Sequence, residues 1–128
     1  MHYVVDTHAI LWFLQGSRIG RRAYRALASP QSALVVPTIV LAEIKFLKAR
    51  GRIRPSLGEV LTAIERDPRF TVYPFDESVV DRMPTELEMH DAIIVGTALV
   101  YQEVQASGVR IITRDPAIVE FGAVGTVW

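Results

Sequence analysis

Four acidic side chains in this 128-residue chain, Asp6, Glu43, Asp91 and Asp115, stand where a carboxylate could do chemistry. Asp6 closes the apolar run Tyr3-Val4-Val5, and Asp115 follows the run from Val109 to Thr113 by two residues. Asp91 opens a long apolar stretch. Glu43 has Ile39, Val40, Phe46 and Leu47 as its i−4, i−3, i+3 and i+4 neighbours, so on a helix it shares their face. Carboxylate oxygens suit a hard divalent cation, Mg²⁺ or Mn²⁺, with waters and substrate phosphates completing its shell. One or two such ions activate a water and stabilise the leaving oxygen in an in-line phosphodiester attack.

Each acid also has a structural reading. Asp6 and Asp115 can cap the helices that follow them, Asp115 with Pro116 at the first helical position. Asp91 is a first-turn acid favoured by the helix dipole. Glu43 caps nothing, and an unpaired carboxylate on an apolar face requires a cation, a proton or strong donors. Lys45 and Lys48 lie off that face, which leaves a metal ion or an Arg from elsewhere. On the metal reading, removing Glu43 spares metal-free stability and removes activity. His2, His8 and His90 show no ligand spacing, and without cysteine there is no thiolate zinc site, disulfide or thiol nucleophile. His8 and His90 each neighbour an acid and read as surface or hydrogen-bonded histidines.

The elements that must position these acids alternate. His2–Asp6 reads as a strand, with a helix from Thr7 to about Leu14 and a second from about Arg18 to Ala28. Ser32–Val36 is a buried strand, followed by the Glu43 helix ending near Gly51. Ser56 with Glu59 forms a capping box for a helix whose apolar face is Leu57, Val60, Leu61 and Ile64, stopped at Asp67-Pro68. A third strand covers Phe70–Phe75, Asp76 caps a short helix, and a long helix spans about Met89 to Ala106 with Gly108 as its stop. Val109–Thr113 is a fourth strand, Arg114–Phe121 holds a short helix, and Gly125–Trp128 is an edge strand. The expected fold is α/β, a three-layer sandwich with a central, mainly parallel sheet of four to five strands flanked by helices. The length fits one domain over residues 1–128. In such sheets ligands bind at the carboxyl ends of the strands, where all four acids can converge.

Formal net charge is zero, but residues 1–54 hold nine basic residues against two acidic ones, +7, and the remainder is −7. Arg18, Arg21, Arg22 and Arg25 follow i, i+3, i+4, i+7 spacing and are candidates to contact the phosphates of a polyanion; a solvated charged face is the plainer reading. Lys45 to Arg54 form a second basic group, where the carboxyl end of the Glu43 helix already favours cations. Trp12, Phe13, Leu14, Phe46 and Leu47 are more apolar bulk than a small domain readily hides. No apolar run is long enough to span a bilayer, and no signal peptide is visible, so a cytoplasmic protein is expected.

"VVDTHAILWFL", the isolated Glu43, "HDAIIVGTAL" and "IITRDPAI", in this order and spacing, resemble the PIN-domain family, and more narrowly its VapC toxins. The resemblance covers essentially the whole chain. It implies a Mg²⁺- or Mn²⁺-dependent endoribonuclease with Asp6, Glu43, Asp91 and Asp115 as its acidic quartet. It also implies a hydroxyl at Thr113 that orients a water or a neighbouring carboxylate. Gly96 stands where many members carry Ala. The expected partners are the RNA substrate, a cognate VapB-like antitoxin and a second copy of the chain. A response-regulator receiver would need paired acids after the first strand, and a haloacid-type phosphatase an Asp at position 8, which is His8. A catalytically inactive PIN-like module that binds RNA or protein is the remaining alternative.

Overall fold

Val4, Val5, Val35, Val36, Ile111 and Ile112 are each almost fully buried, because helices cover both faces of the sheet they build. The computed structural model describes residues 1–128. Its elements are β1 (His2–Val5), α1 (Thr7–Gln15), α2 (Arg21–Ala28), β2 (Ala33–Pro37), α3 (Thr38–Ala49), α4 (Leu57–Arg66), β3 (Phe70–Tyr73), α5 (Glu77–Arg82), α6 (Met89–Val104), β4 (Val109–Ile112), α7 (Pro116–Phe121) and β5 (Thr126–Val127). Five parallel strands run in the order β3-β2-β1-β4-β5, with Val4 in register with Val35 on one side and Ile111 on the other. From β1 the chain builds outward through β2 and β3, then crosses to β4 on the other side. The switch point therefore lies between β1 and β4, and the crevice above it is bounded by the residues after Val5 and Ile112. The α/β reading holds, with all strands parallel.

The expected elements form with small boundary differences and one larger one. The capping box is present, with Ser56 Oγ accepting from the Glu59 N–H at 3.1 Å. Helix α2 starts at Arg21, not Arg18. Arg18 takes a left-handed φ of 60°, and Gly20 is the N-cap. Arg18 thus leaves the stripe that helical spacing assigned it.

Seven consecutive residues of α6, Ala92 to Ala98, are buried. Gly96 faces α5 so closely that a β-carbon there would lie 2.9 Å from the Val79 carbonyl oxygen and 3.2 Å from Met83 Cγ. Backbone cannot yield as a flexible side chain does, so an alanine overpacks this contact. Although Ala is the better helix former by about 1 kcal/mol, Gly96→Ala should lower stability by about 1–2 kcal/mol. Urea unfolding measures it, and a rise in stability would show that α5 moves aside freely.

Candidate active site

Asp6 stands immediately after β1, tied to the neighbouring strand by its N–H to the Ile112 carbonyl at 3.1 Å. Both carboxylate oxygens are engaged: Oδ1 accepts from the Thr7 N–H at 2.7 Å, and Oδ2 from the Thr113 hydroxyl at 2.6 Å. Thr113 Oγ1 in turn accepts from the Asp115 N–H at 3.0 Å. The hydroxyl of the buried Thr113 thus bridges Asp6 and the start of the Asp115 turn. Burial pushes the Asp6 pKa up, against the lowering effect of these donors. Asp115 lines the same cavity as Asp6 and Thr113. It caps α7 as expected, with Oδ1 accepting from the Ala117 N–H at 2.9 Å, and its charge still reaches Asp91.

Glu43 does not lie in the buried face of α3. That face is Val40 and Ile44, whereas Phe46 is 60 % exposed and the Glu43 side chain 31 %. The apolar stripe that spacing assigns to this helix and the face that packs differ, because the packed face is rotated away from Phe46. The compensating cation is His90, in the first turn of α6. Its Nε2 lies 3.1 Å from Glu43 Oε2, and its Nδ1 is 3.5 Å from Asp91 Oδ1. The Nε2 N–H is poorly aimed at the oxygen, so the contact is an ion pair rather than a directed hydrogen bond. The Glu43 carboxylate, against the opposing effect of burial, pushes His90 up to about 9, and His90 pulls Glu43 down. Asp91 is raised by burial and then by the Asp115 charge. The position of His90 beside Asp91 was visible in sequence. Its pairing with Glu43 was not, because α3 and α6 meet only through the fold.

These residues fit a divalent cation in donor chemistry. Burial and mutual repulsion resist ionisation of Asp6 and Asp91, a cost that a bound cation offsets. Thr7 Oγ1, buried beside Asp6 without a hydrogen-bond partner, is a further oxygen at this site. The ligand set is not assembled: no three His, Asp or Glu side chains stand in metal-holding geometry. Glu43 and Asp91 are instead held to His90.

The basic residues divide. Arg22 and Arg25 line a depression with Met1, Ser32 and Arg110, at the amino ends of the strands and away from the acids. Arg18 joins Arg52 and Arg54 along a groove of about 1090 Å³ that also contains His8, Trp12 and Leu14. His8 and Trp12 are shared with the cavity of about 220 Å³ that holds Asp6, Thr113 and Asp115. The second basic group, weighted less in the sequence, is thus the one that accompanies Arg18 beside the acids. Arg114, flanked by Thr113 and Asp115, also lines the acidic cavity, and adjacency to these residues was its only signal in sequence.

The PIN domain family model matches residues 3–124. A chain of a toxin–antitoxin complex from Klebsiella pneumoniae superposes with a TM-score of 0.64 at 21 % identity, covering 98 % of this chain and 96 % of that one. A chain of VapBC2 from Rickettsia felis, crystallised with a DNA fragment from the promoter, gives 0.67 at 13 % identity over 98 % and 97 %. At these identities the two structures speak for the fold. No curated protein matches in sequence. With the family model spanning nearly its whole length, the chain belongs to the PIN domain family.

Proposed function

We propose that this protein is a VapC-like toxin, a Mg²⁺- or Mn²⁺-dependent endoribonuclease restrained by a cognate antitoxin. What supports the reading is that the charges of the four acids reach one another, Glu43 acting on Asp6 and both Asp6 and Asp115 on Asp91, with Asp6 and Asp115 lining one cavity beyond β1 and β4. Asp6, Asp91 and Asp115 would hold the ion, with Glu43 joining directly or through water. When bound, the ion would supply the positive charge that activates a water and stabilises the leaving oxygen. Thr113 fixes the Asp6 carboxylate, and His90 holds Glu43 and Asp91 before loading. Arg18, Arg52 and Arg54 give the RNA backbone a cationic approach to the acids.

The groove beside α1 and α4, with Leu11, Leu14 and Ile53 among its walls, is the place we assign to the antitoxin's carboxyl-terminal segment. A homodimer would cover exposed Phe46. The membership of the two structural neighbours in toxin–antitoxin complexes supports this reading.

The test is single-stranded RNA cleavage by the purified chain. Cleavage should be absent in EDTA, return with Mg²⁺ or Mn²⁺, and fall when the product of an adjacent antitoxin gene is added. Full cleavage in chelator sinks the metal reading, and cleavage indifferent to the partner sinks the inhibition. An inactive binding module would bind RNA and cut none under any condition.

A further inference from the structure

We propose that Trp12, Arg114 and Trp128 form a subsite for one unpaired nucleotide of single-stranded RNA, beside the acidic cluster. The proposal rests on the ribonuclease reading and adds which residues hold the substrate next to the cut phosphate.

Arg114 is exposed, yet no hydrogen bond or ion pair engages it, although Asp115 is its chain neighbour and Asp6 lines the same cavity. Stacking holds it instead: its guanidinium carbon lies 4.4 Å from the Trp12 ring centroid and 5.8 Å from that of Trp128. The two indoles meet edge to face at 5.6 Å, and His8 lies 5.3 Å from Trp12 on the same wall. Trp128 is seated on bare backbone, since a β-carbon at Gly20 would come within 2.6 Å of its Cδ1 and of its main-chain carbon. The cation is therefore oriented by ring faces while its planar fork of N–H donors stays free.

That fork matches a phosphate, which the nearby Asp6 and Asp115 would otherwise repel. With Arg114 lying over Trp12, a base continues the stack on the outer plane of the guanidinium, which, like an aromatic ring, accepts bases of any sequence. A base within a duplex is already stacked, so the wall selects an unpaired one. An Arg that merely covers indole surface would share this geometry but would not contribute to RNA binding.

Trp12 and Trp128 are the protein's two tryptophans, so its intrinsic fluorescence reports on this wall. The probe is a labelled oligoadenylate of about six nucleotides, a length within one single-strand site, titrated in EDTA against the full chain. Binding should quench the tryptophans, and a blunt RNA duplex should not. Arg114→Ala should weaken binding about tenfold and flatten the salt dependence by about 0.7 in log–log slope, the share of one phosphate contact. Trp12→Leu should weaken it about as much with the slope unchanged.

Wild-type affinity in Arg114→Ala, or binding without quenching, overturns the subsite. Arg114 is exposed, so that variant stays informative even if Trp12→Leu folds poorly. RNA cleavage by the wild type with Mn²⁺, measured alongside, keeps the two questions apart. If the wild type cleaves while Arg114→Ala binds normally, the subsite alone is wrong. If neither cleavage nor binding occurs, the ribonuclease reading falls with it.

Discussion

Asp6→Asn should lower metal-dependent RNA cleavage about a thousandfold, beyond the 10–100-fold typical of outer-shell partners, and should raise the melting temperature of the protein in EDTA. The two effects have one cause. Burial raises the Asp6 pKa above its unfolded value, so the native state resists the ionised form. A raised carboxyl costs nothing below the unfolded pKa and destabilises increasingly as pH climbs through the folded one. At neutral pH the metal-free protein therefore carries a deficit that a neutral isostere removes. Asn keeps an acceptor for the Thr7 N–H, but its amide reverses the bond to Thr113 Oγ1 and takes the acceptor from that hydroxyl, a cost smaller than the buried charge that is removed. The expected gain is about 2–5 °C. Mg²⁺ or Mn²⁺ should then stabilise the wild type by mass action and leave the variant unmoved. A lower melting temperature in EDTA would mean that the N-cap charge on α1 outweighs burial. Undiminished cleavage would remove Asp6 from the site.

Glu43→Gln should cut cleavage about a hundredfold, at the upper end of what a group that orients a metal's ligands contributes, with the opposite effect on metal-free stability. His90 is raised to about 9, so its share of the ion pair is fully present below its unfolded 6.5 and is lost as pH rises through about 9. Glu43 is lowered, so its share is present above its unfolded 4.5 and is lost as pH falls through its folded value. The pair therefore stabilises most between 4.5 and 6.5. With both side chains about one-third exposed, solvent screens the pair, and about 1 kcal/mol is the expected loss near pH 6. Above pH 9 variant and wild type should converge. Urea unfolding of both proteins in EDTA across that range is the measurement; a difference independent of pH would assign the cost to packing. On the metal reading Glu43 could be removed without loss of metal-free stability; the partner in the structure is His90, neither a metal ion nor an Arg. Asp6 and Asp91 stay raised by burial although His90 acts on both, whereas the closer contact with His90 lowers Glu43.

Alternation of short apolar runs with amphipathic stretches determined the α/β class, and chain adjacency determined that Asp6 and Asp115 follow strand ends. Caps at Ser56, Asp76 and Asp115 were equally legible, because capping acts between residues at most three apart. The same local logic failed at Arg18, where regular spacing implied a helical stripe. Gly20 begins α2 later and turns Arg18 toward Arg52 and Arg54. Tertiary structure alone decided that Thr113 grips Asp6 across 107 residues, that His90 answers Glu43, and that Arg114 lies over two indoles. Periodicity and capping are written within a turn or two of chain. Which side chains meet across the sheet's carboxyl edge depends on strand order and on the faces the helices bury, and those are settled only when the whole core packs.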